Sequence, residues 1–89
     1  GVIGLTNALA RAFGPHSIRV NAIEPGAVMT ERQRRLWYPT QESVEDMISR
    51  QILHAPLLGE DIARTALFLA SDEAGMITKQ SFTVDAGLR

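Results

Sequence analysis

The sequence predicts an α/β fold built on two parallel strands, and three observations carry that prediction. Apolar residues at helical spacing open the chain. A short alternating run comes next and ends in a Pro-Gly turn, and a second alternating run closes the chain after another helix. The expected order is helix, strand, two lid-like helices, helix, strand, with one crossover between parallel strands that is right-handed by the general rule.

Val2, Leu5, Leu9, Ala12 and Phe13 recur at the helical period and predict a helix from Val2 to Phe13. Ala8, Ala10 and Ala12 keep its surface smooth, which suits close packing on a sheet or on a second subunit. Gly14-Pro15 predicts its end, with Gly as a left-handed cap and Pro unable to continue. From Ile18 to Ile23, Ile18, Val20 and Ala22 alternate with Arg19, Asn21 and Ile23, a strand pattern. In open α/β sheets ligands bind beyond the carboxyl ends of strands, so the Pro25-Gly26 turn is the expected ligand position.

Thr30 reads as an N-cap, with Gln33 three residues on completing a capping box. A short helix from Glu31 to Tyr38 closes at Pro39. Thr40 and Ser43 are alternative caps for a second helix reaching about Leu53, with Val44, Met47, Ile48 and Ile52 on one stripe. This more charged, less periodic stretch, 31–55, reads as a mobile excursion over the site. Gly59-Glu60-Asp61 opens the next helix with acids where the helix dipole favours them. Its apolar face comprises Ile62, Ala63, Ala66, Leu67, Leu69 and Ala70 and ends at Ser71-Asp72. Ser81 to Asp85 is the second strand.

Composition narrows the function classes. Eighty-nine residues make about one small domain. The net charge of −1 offers no basic footprint for nucleic acid. With no cysteine, disulfides and Cys-based metal sites are excluded. No run reaches the roughly 18 apolar residues of a membrane span, and no leader is visible, so a cytoplasmic setting is expected. The chain begins at Gly1 and enters helix at once, which reads as a fragment of a longer protein.

Four segments, in order, resemble the C-terminal part of a short-chain dehydrogenase/reductase, and together they cover nearly the whole chain. Gly1 to Ala10 is similar to the helix after that family's Tyr-x-x-x-Lys motif. Ile18-Arg19-Val20-Asn21, then Pro25-Gly26 and Thr30, resembles its sixth strand and cofactor turn. Glu60 to Ala74 resembles its last large helix, and Ile77 to Gly87 its final strand. Two residues depart from the pattern: Lys79 stands where a Gly is usual, and Ala86 replaces the first Gly of the closing pair. Within the family, Thr30-Glu31-Arg32-Gln33 with Trp37 looks like the T-x-R-Q-x-x-x-W run of members that oxidise aldoses at carbon 1. Asp85-Ala86-Gly87-Leu88-Arg89 is similar to their chain ends.

The resemblance implies a single Rossmann-type doubly wound parallel sheet, of which residues 1–89 form the C-terminal portion and 31–55 the substrate lid. It implies NAD or NADP as cofactor, a sugar or other alcohol as small-molecule substrate, and a homotetramer formed through the last helix and strand. Pro25 and Gly26 would bring backbone close to the nicotinamide. Val28 would offer its N–H and C=O to the carboxamide, and Thr30 its hydroxyl to the carboxamide or pyrophosphate. Arg32, Gln33 and Trp37 would touch the sugar, Trp37 by its flat face and N–H. The glycine-rich first turn and the catalytic Ser, Tyr and Lys are expected upstream, so no residue here is named catalytic and none a metal ligand.

Plainer readings stand beside these. The turn is also consistent with an ordinary Pro-Gly turn and N-cap Thr, and Trp37 with an anchor holding the lid on the core. His16 and His54 lack a second ligand at metal spacing. Asp85 reads as the holder of the C-terminal turn by Asx-type bonds, or as a subunit contact. Glu24 is held extended by the proline after it. Two further readings of the whole remain open: a dehydrogenase for another alcohol or ketone, and a non-catalytic interaction module of the same fold.

Overall fold

A computed structural model describes residues 1–89. It contains α1 (Val2–Phe13), β1 (Ala22–Pro25), α2 (Glu31–Trp37), α3 (Gln41–Arg50), α4 (Gly59–Ala70) and β2 (Ser81–Val84), with short 3-10 turns at Gly14–His16 and Asp72–Ala74. The two strands pair in parallel, Ala22 opposite Ser81 and Pro25 opposite Val84, so the order and sense expected from the sequence are present. Both α1 and α4 pack on β1.

The first strand is shorter and later than the expected 18–23. The Val20 carbonyl does accept the Lys79 N–H at 2.8 Å, but the Val20 N–H donates to the Thr78 Oγ1 at 3.1 Å. Lys79 takes left-handed backbone, φ 62°, which interrupts any extended run before Gln80. Regular pairing therefore begins at Ala22, whose N–H donates to the Gln80 carbonyl. Two side chains fasten the strand's approach instead. Asn21 donates to the Ile77 carbonyl through Nδ2 at 3.0 Å and accepts the Gln80 N–H on Oδ1 at 3.1 Å. Arg19 donates to the carbonyls of Leu69 (2.7 Å) and Ser71 (3.2 Å), satisfying acceptors that the C-terminus of α4 leaves without helical partners.

The end of α1 also differs from expectation. Gly14 is right-handed, φ −54° and ψ −44°, and the chain turns into a 3-10 segment; Ser17, φ 62°, takes the left-handed position. A residue before proline usually avoids the helical region partly because its Cβ meets the proline ring, and Gly14 has none. Pro15 therefore extends the helix by a turn rather than stopping it.

Caps set the lid. Thr40 Oγ1 accepts the Ser43 N–H at 3.0 Å while Ser43 Oγ accepts the Thr40 N–H at 3.1 Å, so the two alternative caps are one reciprocal box. Helix α3 stops at Arg50 rather than near Leu53, because Gln51 leaves the helix and its Nε2 donates to the carbonyls of Leu53 and Ala55. Val44 is its buried anchor, and Ile52 is outside the stripe and exposed. At the start of α4, Asp61 Oδ2 accepts the Leu58 N–H at 2.8 Å, the role expected of an acid in the first turn.

The core is thin. Its apolar members are Ala10, Ala22, Val44, Leu57, Leu69 and Ala74, and no large side chain is fully buried. On α1 the buried residues are Thr6 and Ala10, whereas the expected stripe of Val2, Leu5, Leu9 and Phe13 faces outward. On α4 only Leu69 is buried, and Leu67 and Phe68 are exposed. A two-stranded sheet has one partner surface too few for these helices. The far edge of β1 is likewise unpaired.

Candidate functional site

The carboxyl end of β1 runs directly into a cleft of about 560 Å³, and the geometry there starts from the turn. The Gly26 N–H continues the ladder by donating to the Val84 carbonyl at 2.9 Å. The Val28 N–H donates to the Gly26 carbonyl, and the Val28 carbonyl accepts the Thr30 N–H, each near 3 Å. One residue later, the Met29 N–H donates to the Leu57 carbonyl at 2.8 Å, tying the turn to the segment before α4. Thr30 caps α2, its Oγ1 accepting the Gln33 N–H at 3.2 Å. The capping box is thus half formed: the Thr30 N–H is taken by Val28, and the Gln33 side chain points to the cleft instead.

Gly26 owes its identity to a neighbour inside the chain. A Cβ there would lie 2.5 Å from the Asp85 Cβ and 2.8 Å from the Asp85 Cα. Asp85 is itself buried and organises the chain end beyond β2. Its Oδ1 accepts the Gly87 N–H at 2.9 Å, an Asx-type turn as expected, and its Oδ2 accepts the Arg89 N–H at 3.0 Å and the Arg89 Nε at 3.4 Å. Burial opposes the charge on Asp85, but these backbone and guanidinium donors outweigh it and hold the carboxyl below its ordinary value. Arg89 Nη2 then donates to the Pro25 carbonyl at 3.3 Å. The Ala86 carbonyl accepts from both Ile52 and Leu53 at 3.0 Å, so the same turn also grips the segment that follows α3.

Five of the seven residues singled out from the sequence line this cleft: Pro25, Gly26 and Val28 on the turn, Gln33 and Trp37 on α2. Trp37 is 68% exposed, so within this chain it is a cleft wall and not an anchor on the core. Thr30 and Arg32 do not line it; Thr30 is committed to its cap, and Arg32 is exposed with no partner. The wall also includes Ala27, Tyr38, Met47, Leu88 and Arg89, which the sequence did not single out for the site. Tyr38 and Met47 carried a signal, Tyr38 as the neighbour of Trp37 and Met47 as a member of the α3 stripe. Leu88 and Arg89 belong to the chain end that resembles those of aldose-oxidising members, but nothing local shows that the Asx turn folds them back onto the cleft. No group of three His, Cys, Asp or Glu side chains stands close enough to share a metal ion.

A parallel strand ending in a glycine turn, with a helical flap over it, is the ligand-binding corner of a doubly wound α/β sheet. The family model described as enoyl-(acyl carrier protein) reductase matches residues 1–89, and the chain belongs to that family, among the short-chain dehydrogenase/reductases. It is 50% identical over 88 residues to the probable galactose dehydrogenase GalD of Rhizobium meliloti, covering 99% of this chain and 34% of that protein. It is 43% identical over 89 residues to the D-xylose 1-dehydrogenase of Caulobacter vibrioides, covering 100% of this chain and 35% of that one. Among solved structures, a 4-hydroxyisoleucine dehydrogenase mutant complexed with NADH and succinate superposes with a TM-score of 0.86 at 34% identity, covering 98% of this chain and 35% of its own. The chain thus spans about a third of the length of the relatives it matches.

Proposed function

We propose that these residues are the C-terminal portion of a single-domain NAD(P)-dependent oxidoreductase that moves hydride between the anomeric carbon of an aldose and nicotinamide. The carrying observation is the cleft, which sets the turn residues Pro25, Gly26 and Val28 opposite Gln33 and Trp37 of the lid 31–55. The likeness to a galactose and a xylose dehydrogenase supports the sugar, and the NADH in a superposing dehydrogenase supports the cofactor.

The residues at the turn fit the nicotinamide end of such a cofactor. Gly26 and Ala27 keep the wall low. The Val28 carbonyl retains a lone pair beyond the one that Thr30 uses. Its N–H is engaged only across a three-residue turn, an easily exchanged partner. When bound, the cofactor gives or takes the hydride. Val28 orients the carboxamide, and Thr30, whose oxygen caps α2, keeps its own proton for the carboxamide or pyrophosphate. Trp37 offers a flat face to the sugar ring and Gln33 donates to a hydroxyl, while Arg32, which does not line the cleft, is left without a role in this reading. The proton is handled by the Ser, Tyr and Lys expected upstream. The reading extends to a homotetramer, supported by the exposed Leu67 and Phe68 of α4, and to a cytoplasmic setting.

The test is the near-ultraviolet absorbance of reduced nicotinamide, followed with the full-length protein, NAD or NADP, and a panel of aldoses and simple alcohols. Reduction with galactose, xylose, arabinose or fucose is expected. Reduction only with non-sugar alcohols removes the aldose and keeps the dehydrogenase. Silence with cofactor still bound favours an interaction module.

A further inference from the structure

Arg89 is the one charged residue on the cleft wall. Its fork is already oriented from behind. Nε meets Asp85 Oδ2 and Nη2 meets the Pro25 carbonyl, while Nη1 has no acceptor in the chain and the side chain is about half exposed. A guanidinium fixed on two of its nitrogens loses little freedom when a third donates. The charge itself is compensated at source by the buried Asp85 carboxylate. Arg34 and Arg35 line a neighbouring depression that shares Tyr38 with the cleft, and they are not among the residues of the cleft wall. The wall itself therefore presents a directional donor whose own charge is countered by Asp85. Facing it are Gln33 and the indole of Trp37, a combination that favours a neutral, hydroxyl-rich ring over a carboxylate or phosphate.

We propose that Arg89 is a specificity-determining residue of the cleft, donating through its unpartnered nitrogen to a hydroxyl oxygen of a neutral polyhydroxylated substrate. This rests on the oxidoreductase reading above and adds the residue and the charge of its ligand. A site built to hydrogen-bond a hydroxyl rejects an analogue lacking it, because the donor is then left unpaired.

The experiment is steady-state kinetics of the full-length enzyme and its Arg89→Met and Arg89→Lys forms with an aldose and its single-position deoxy analogues, with the matching aldonate added as a competitive inhibitor. NAD(H) binding is followed in parallel by fluorescence titration. In the unaltered enzyme one deoxy position is expected to cost about tenfold or more in kcat/KM. Arg89→Met should lose about that factor on the aldose, mostly in KM, and erase the penalty at that one deoxy position. Arg89→Lys should recover only part, having lost the fixed fork. NAD(H) affinity should hold within about twofold. Unchanged aldose kinetics in Arg89→Met overturns the assignment alone, as does inhibition of the unaltered enzyme by the aldonate at concentrations well below the KM of the aldose. Loss of NAD(H) binding in the variant also overturns it, making Arg89 a prop for the Pro25 turn. An unaltered protein that neither binds NAD(H) nor oxidises any alcohol overturns the oxidoreductase reading together with it.

Discussion

Gly26 and Asp85 touch backbone to backbone: the hydrogen where a Gly26 side chain would start points at the Asp85 Cα and Cβ, with no room for a methyl. The contact joins the carboxyl ends of the two strands just where the cleft begins. Gly26→Ala should therefore push the strands apart or rotate the turn, at about 1–3 kcal/mol, the usual cost of overpacking a tight site. Denaturant unfolding of the full-length protein checks the stability, and fluorescence titration should show weaker NAD(H) binding. Native stability in Gly26→Ala would mean that the turn can shift freely, and the cleft would lose its rigid floor.

Lys79 and Ala86 both hold left-handed backbone, at φ 62° and 56°. These are the two positions where the sequence departs from the glycines of the family pattern. An L-residue there costs about 1–2 kcal/mol that glycine escapes, partly offset by glycine's greater freedom when unfolded. Lys79→Gly is thus expected to stabilise by about 0.5–1 kcal/mol, read as a raised denaturation midpoint. Lys79 is exposed and its bond to the Val20 carbonyl uses only the main chain, so no side-chain contact is lost. A lowered midpoint would show that the lysine side chain contributes more than its backbone strain costs.

Those two residues show how far the sequence was legible. Periodicity and caps located the four α-helices and the second strand, because they depend on neighbours along the chain: Thr40 and Ser43 cap each other within one turn. The turn at Pro25-Gly26 could be read from its residues, whereas Gln33 and Trp37 were singled out only through the resemblance to a T-x-R-Q-x-x-x-W run; all four line the cleft. The features that escaped depend on contacts distant in sequence. Nothing local says that Arg89 returns to Pro25, or that Arg19 and Asn21 spend their side chains on carbonyls of the segment 69–77. The start of β1 was misplaced for the same reason, since a strand begins where its partner permits.

Asp85 gives the fold an acid-sensitive point. Its carboxyl titrates below the ordinary value of 3.8, so its contribution is fully present above that value and is lost as pH falls through the lowered one. Asp85→Asn keeps an oxygen for the Gly87 N–H but releases the Arg89 guanidinium. The variant should be less stable than the unaltered protein near neutral pH, and the gap should close only below about pH 4. Unfolding free energies measured against pH for both proteins decide this. A constant gap down to the acid limit would assign the effect to shape rather than charge.

The last expectation concerns the 89 residues on their own. Their accessible surface is 6344 Å², against about 5,100 Å² for a compact protein of this mass. Their radius of gyration is 15.6 Å, against about 12 Å for a compact domain of this length. The excess is largely apolar: Val2, Leu5 and Phe13 on α1, Leu67 and Phe68 on α4, and Met76 are exposed together with an unpaired edge of β1. An exposed apolar strand edge invites pairing with another chain, and helices that bury so little gain too little to offset their ordering entropy. The isolated segment should bind a hydrophobic dye, elute above its monomer mass and melt without a cooperative transition. Joining it to the missing sheet strands should abolish the dye binding, restore a cooperative melt and replace ill-defined association with one discrete assembly. A soluble, dye-silent monomer with a sharp melt would instead mean that the thin core of Ala10, Ala22, Val44, Leu57, Leu69 and Ala74 suffices, and that the excess apolar surface does not govern how the segment behaves.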